Sequence, residues 1–416
     1  MARTRSQGSR KERASSLVGE LPRYGVVIAA VVLAWQVVRI PIEDRAPAAM
    51  AIRLSPTSPL VLRRAAEEEL AAGRIENARS LAADSLARDP FSARALRVLG
   101  LTYARTNDNR RADELLTLAG NWSLRDDPAH AWLVEYRLRQ GDFASAFAHA
   151  DTLARRRPDL NPQLFRLFVV AAESSPRGLT ALAGLLARMP PWRDTFLEHL
   201  YGIPEGDTLL GSLALSLRSG EGRFNDTELA HLYLNWAGEG RTAGLKYLRS
   251  QLGRPPLDRL IQDGSFSGPP APAPFAWVMA PAPGLTADIT ADETDNNNQA
   301  LRVQFRGLDR NEVGYQLLLL EPGRYRLQGR IRVQEGSGVL PLAWTLACVE
   351  STEVLMDHPV VAPAENEERA WFSFDRTVVV PAARCTGQWL RLVTRPGDRR
   401  TTAVAWTDDL RLSRAD

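Results

Sequence analysis

Residues 58–160 repeat every 34 residues, and a chain with such a period builds itself from stacked copies of one small unit. Gly73-Arg74, Asn107-Asp108 and Gly141-Asp142 recur at this interval, and so do Ala78, Ala112 and Ala146. Pro90 and Pro158 each follow a turn glycine by seventeen residues; Leu124 holds the matching place in the middle copy, with Pro128 four residues later. Each mark has a physical reason in a helix–turn–helix unit. The turn needs a residue that tolerates positive φ, as glycine and asparagine do. Just past the turn the paired helices close on each other, and only a small side chain fits, hence alanine. Proline ends the second helix because it lacks an N–H and collides with the preceding turn. In the middle of the first helix Ala66 and Gly100 are small, and Val134 departs. Leu62, Ala65, Leu96, Leu99 and Leu133 supply the core of the first helices; Leu81, Leu86, Leu115 and Leu153 supply that of the second.

The period and its landmarks resemble the tetratricopeptide repeat. Residues 58–190 read as such an array, with 161–190 a fourth, degenerate pair around Ser174-Ser175-Pro176. Residues 191–253 continue as helix pairs, among them Asp226–Trp236 and Thr242–Leu252 joined by Gly238-Glu239-Gly240. The resemblance implies a groove along the first helices that holds a protein partner. Its positions fall on Arg63, Glu67, Arg94, Arg97, Leu101, Arg105, Glu135 and Arg139. Five of these are arginines, which points to an acidic partner, although the same residues also suit a solvated helix face in an arginine-rich chain. The asparagines with which one subclass of the family clamps a carboxylate terminus are absent.

After a Pro-rich linker at 254–258 the apolar period switches from 3.6 to 2, the signature of strands. Strands are expected near Arg259–Gln262, Ala276–Met279, Leu285–Thr290, Ala300–Phe305, Tyr315–Leu320, Arg324–Val333, Leu342–Val349, Ala370–Phe374, Arg376–Val380, Trp389–Val393 and Ala403–Leu412. So many short strands over 259–416 predict an antiparallel jelly-roll sandwich. Leu260-Ile261-Gln262-Asp263-Gly264-Ser265-Phe266, then Pro274-Phe275-Ala276-Trp277, then the closing Trp406-Thr407-Asp408-Asp409-Leu410-Arg411-Leu412 resemble the ends of jelly-roll carbohydrate-binding modules. Many such modules hold a structural calcium with the glutamate of the opening motif. Ser267 replaces it here and leaves Asp409 alone, too few oxygens for that ion, so no metal is expected. The resemblance makes a glycan the expected ligand. Sugar binding needs aromatic faces beside polar groups, and Trp277, Tyr315, Trp371 and Trp389 are the candidates. Trp344 and Trp406, like Trp277, sit in alternating strands and suit core packing as well. Cys348 and Cys385 are the only cysteines. A disulfide between them is favoured in an oxidising compartment, two free thiols being the alternative.

Tyr24 to Ile40 is the one apolar run of more than fifteen residues, and with Pro41 and Ile42 it approaches the ~20 residues that cross a bilayer. Residues 1–23 carry +4 of the chain's net +3, so the rest sums to −1. A basic tail before an apolar run predicts a cytoplasmic tail at 1–23, a transmembrane helix at 24–42, a linker at 43–57, and the bulk of the chain beyond the inner membrane, in the periplasm. A cleaved signal peptide is the competing reading. With the positive charge confined to a tail, the body is not expected to bind nucleic acid. Fifty of the 52 basic residues are arginines spread over the whole chain, which reads as composition rather than as a phosphate site.

The motifs of chemistry are missing. The five histidines are scattered, and no His-Glu-x-x-His pair, phosphate-binding glycine loop or nucleophile elbow occurs. Asp292, Glu293 and Asp295 form an acidic run beside three asparagines, which reads as a loop between strands. The expected architecture is multidomain: a transmembrane helix, an all-α repeat array and an all-β jelly-roll. The expected function is a non-enzymatic, cofactor-free, membrane-anchored scaffold whose repeats hold a protein and whose sandwich meets a glycan or another subunit, in cell-envelope or exopolysaccharide assembly or export. A glycan-active enzyme working through carboxylates is the alternative.

Overall fold

The computed structural model describes residues 28–38, 43–203, 206–253, 259–268, 273–292, 295–362, 370–395 and 400–415. It divides into two compact units, Met1–Leu164 and Phe165–Asp416. In the first, residues 28–38 are helical (α1) and their side chains are exposed. Eleven residues rise roughly 16 Å, about half of a bilayer's hydrocarbon core. The other positions of the expected span lie outside the described residues. Among those described, no helix is long and apolar enough to cross a membrane. The transmembrane helix and the single-pass inner-membrane location are corrected accordingly.

Seven helices follow in this unit: α2 (Ala48–Leu54), α3 (Pro59–Ala71), α4 (Ile75–Arg88), α5 (Ala93–Arg105), α6 (Asn109–Trp122), α7 (Asp127–Arg139) and α8 (Phe143–Arg156). The repeat turns at Gly73, Asn107 and Gly141 have φ of 77°, 62° and 71°. Ala78, Ala112 and Ala146 are fully buried where the helices meet. A Cβ on Gly100 would lie 2.7 Å from Leu116 Cγ, so the close approach of α5 and α6 depends on that glycine. Each turn closes with the same six-residue bond: Arg74 N–H to Glu69 O, Asp108 N–H to Tyr103 O and Asp142 N–H to Arg137 O. The caps keep the period too. Ser58, Ser92 and Asp126 precede α3, α5 and α7, and the Ser92 and Asp126 side chains accept backbone N–H groups of Ala95 and Ala129.

Helices continue with α9 (Asn161–Ser174), α10 (Pro176–Leu186), α11 (Arg193–Tyr201), α12 (Gly206–Ser216), α13 (Asp226–Gly238) and α14 (Thr242–Gln251). Arg193, 2% exposed, bridges this region. Its Nε and Nη2 donate to the two oxygens of Glu228 at 2.9 and 3.0 Å, and its Nη1 donates to Leu186 O and Gly222 O. Glu228 in turn closes a capping box with Asn225 at the start of α13.

Among the described residues the sandwich has ten strands: β1 (Val278–Met279), β2 (Leu285–Asp292), β3 (Asp295–Gly307), β4 (Glu312–Leu318), β5 (Gly323–Glu335), β6 (Val339–Cys348), β7 (Val354–Val361), β8 (Phe372–Val380), β9 (Gln388–Thr394) and β10 (Thr401–Arg414). They form two antiparallel sheets, ordered β1-β4-β9-β6-β7 and β2-β3-β10-β5-β8. The facing sides bury Leu301, Phe305, Leu327, Ile331, Trp344, Leu346, Leu390 and Leu392. The expected strand at Arg259–Gln262 is a turn region; there Gln316 exchanges side-chain hydrogen bonds with the Gln262 backbone, both at 2.9 Å. Cys348 and Cys385 are bonded, with Cα atoms 4.9 Å apart. Helix α14 seats on the same corner: Thr242 hydrogen-bonds Glu350 and Thr386, each within two residues of a bridged cysteine.

Candidate functional site

Strand alternation decides which residues the first sheet turns away from the core. Register pairs Val278 with Tyr315, Tyr315 with Arg391, Arg391 with Thr345, and Thr345 with Asp357, so one row crosses all five strands. The neighbouring row holds Trp389 opposite Ala347. Trp344 and Leu392, one residue out of phase with Thr345 and Arg391, face the core. Tyr315 and Trp389 are half-buried, their rings 5.4 Å apart and at 88°. Arg391 lies 5.3 Å over the Trp389 ring and pairs with Glu312 at 2.8 Å. Together with Arg310, Asn311, Asp357 and Val393 they line a groove of about 770 Å³, closed on one side by Leu234, Ala237 and Gly238 of α13.

The electrostatics are those of a partly dried polar surface. Burial first, then the charge of Glu312, pushes the Tyr315 hydroxyl up, against Arg391. Burial also lowers the Arg391 guanidinium from its ordinary value, although Glu312 opposes this. Two aromatic faces beside guanidinium, carboxylate and hydroxyl groups can stack a sugar ring and hydrogen-bond its hydroxyls.

The other two aromatic candidates lie elsewhere. Trp277 packs against Phe266 and Trp344, and its indole N–H donates to Asp263 O at 3.1 Å. Trp371 immediately precedes β8 of the other sheet. Its N–H donates to Asp292 at 3.0 Å, and the Arg330 and Arg332 guanidinium carbons lie 5.0 and 5.5 Å from its ring centre. Trp406 on the same outer face is covered by Arg302 and Arg332. Asp292 is 1% exposed and pairs with Arg332; Glu293 lies outside the described residues. Calcium does not fit the position implied by the modules. Asp409 pairs with Arg330 at 2.8 Å and Arg411 at 3.5 Å, and Ser267 brings no carboxylate.

On the repeats, Arg63 donates to Glu67, and Arg97 binds both Glu67 and Asp126, so three of the eight expected groove residues belong to one internal charge network. Arg139 and Glu135 pair with each other at 2.8 Å, Leu101 is half-buried, and Arg94 and Arg105 are exposed. Sequence reading passed over Glu312, Thr345 and Asp357, because the register that aligns them with Tyr315 is set by strands far apart in the chain.

No protein-family model and no curated protein sequence matches the chain. The tetratricopeptide likeness therefore stands on period and landmarks. Among solved structures, the sandwich is similar to the CBM22-1 xylan-binding domain from Paenibacillus barcinonensis Xyn10C, at 14% identity over 36% of this chain and 91% of that one, TM-score 0.27. It is also similar to a family 16 carbohydrate-binding module, at 14% identity over 37% and 99%, TM-score 0.26. A third is TmCBM61 in complex with β-1,4-galactotriose, at 14% identity over 38% and 97%, TM-score 0.25.

Proposed function

We propose that this protein is a non-enzymatic scaffold that binds a glycan on the outer face of the first sheet, with its helical repeats holding a protein partner. The observation that carries the glycan reading is the aromatic corner of Tyr315 and Trp389, with Tyr315 in one row with Arg391, Thr345 and Asp357 and Trp389 in the row beside it. A sugar would stack on the indole while its hydroxyls meet the charged groups. The groove's size suits a short oligosaccharide segment. Affinity electrophoresis of the whole chain through gels containing soluble polysaccharides tests this. Retardation by at least one polysaccharide, weakened about tenfold or more by Trp389→Ala, is expected.

A second reading is favoured by the lining from α13: Tyr315 and Trp389 simply pack beneath the helix. In that case Trp389→Ala lowers the melting temperature and leaves any retardation unchanged. An enzymatic role would fall to Glu312 and Asp357, both held by arginines, Arg391 and Arg395. Hydrolysis of a retained polysaccharide that stops on Glu312→Gln would replace the scaffold reading.

A further inference from the structure

Between residues 58 and 160 the large apolar side chains that stay exposed are Phe91, Leu118, Trp122 and Leu124, at 80%, 37%, 44% and 64%. They are not scattered. Phe91 lies in the loop from α4 to α5, and Trp122 and Leu124 at the end of α6, one repeat further on. The Phe91 and Trp122 rings meet at 5.7 Å, and Leu118 stands one helical turn before Trp122. Scattered exposed apolar residues need no explanation, but a contiguous cluster of aromatic and aliphatic groups marks an interaction surface.

The rim of this patch is mainly basic. Arg88, Arg94 and Arg125 are exposed, within four residues of its members, and form no ion pair among the described residues. Of the nearby carboxylates, Asp126 is buried against Arg97 and Asp127 is shared by Arg156 and Arg157, while Asp89 accepts the Phe91 N–H. The positive field runs on into the first helices. The Arg63 guanidinium lies below its ordinary value, chiefly through burial and against Glu67, with Arg94 and Arg97 adding repulsion.

We infer that the edge formed by Phe91, Trp122 and Leu124 is where the repeats dock their protein partner, and that the docked segment is an acidic peptide carrying aromatic or aliphatic anchors. This deepens the reading of the repeats as a partner-binding array and is independent of the glycan face. It moves the anchor from the groove, where Arg63, Glu67, Arg97 and Asp126 satisfy one another, to the loop edge. Apolar anchors between exposed arginines match a segment that buries its own apolar side chains while its carboxylates pair with the rim.

The test is selection from a random twelve-residue peptide library displayed on phage, using the whole chain as bait. Its counterparts are Phe91→Ser/Trp122→Ser and a groove variant, Arg105→Glu/Arg139→Glu. Enriched peptides are expected to combine several carboxylates with Leu, Phe or Trp. Their affinity should fall about tenfold or more in Phe91→Ser/Trp122→Ser, fall with added salt, and change little in the groove variant. The substituted side chains are exposed, so an unchanged melting curve checks folding. Peptides that lose affinity only in the groove variant overturn the edge and keep the array reading. The edge is also overturned by enriched peptides without acidic character, or by failure to enrich any. The same holds if phosphatidylserine vesicles, or a second copy of the chain, bind the patch in their place.

Discussion

Replacing Cys348 and Cys385 together by alanine removes a bridge that closes a loop of 37 residues. In the chain-entropy picture, releasing a loop of that length frees the unfolded chain by about 4 kcal/mol at 25 °C. Both cysteines are buried, at 2% and 3% exposed, so the lost sulfur contacts add to that figure rather than reduce it. The bridge also ties the β6–β7 turn to the segment before β9. These carry Glu350 and Thr386, the two residues that receive Thr242 of α14. For a unit of about 250 residues, 4 kcal/mol corresponds to a fall in melting temperature of roughly 8–16 °C. Differential scanning calorimetry of native, reduced and doubly substituted protein reads this directly. Reduced and substituted forms should melt together, well below the oxidised one. A shift under about 2 °C would refute the claim that the bridge holds this corner.

Two other perturbations follow from buried charge. Arg193→Met leaves Glu228 without its bidentate partner inside the helices, and urea unfolding should show a loss of about 3–5 kcal/mol, with Glu228→Gln milder; equal stability of Arg193→Met would contradict the bridging role. His149 meets His130 across α7 and α8 with Nδ1 atoms 3.0 Å apart, and its imidazole is lowered to about 4 by burial first, then by His130 and Arg137. The unfolded chain therefore takes the proton first. Stability from this group is complete above the usual imidazole range near 6.5 and is lost as pH falls from there to about 4. After allowance for partial solvent screening, the loss is roughly 1–2 kcal/mol. His149→Phe should flatten the acid limb of stability against pH, and parallel curves for the two proteins would argue against it.

The repeats were legible because their marks are local. A turn that needs positive φ and a crossing that admits only alanine each leave a residue at a fixed interval, and Asn107 serves that turn as well as Gly73 and Gly141. The cap series Ser58, Ser92 and Asp126 shares the period and was there to be read. Strand β7 escaped because Asp357-His358-Pro359 interrupts its alternation; the proline is tolerated since β7 is an edge strand. The sequence suggests two strands at Ala370–Phe374 and Arg376–Val380, where one, β8, runs through. The apolar run near the N-terminus, with its basic flank, reads as a span in sequence, but the described helix there is too short to cross a bilayer.

The candidate site was legible only in residue type. Alternation says that Trp389 and Leu390 face opposite ways, but not which sheet holds them, because sheet order is a long-range property. Hence Tyr315 and Trp389 meet, Trp371 immediately precedes a strand of the other sheet, and Trp277 is packed between Phe266 and Trp344. The groove arginines show the same limit: Arg63 and Arg97 look free in sequence, yet Arg97 binds Asp126, 29 residues away.

The most direct measurement is titration calorimetry of the native chain and of Trp389→Ala with whichever oligosaccharide the native chain retains. Saturable binding by the native protein, at least about tenfold weaker in the variant while both melt alike, is the expected result. Equal affinities would place any sugar site away from Tyr315 and Trp389 and contradict the assignment of this face.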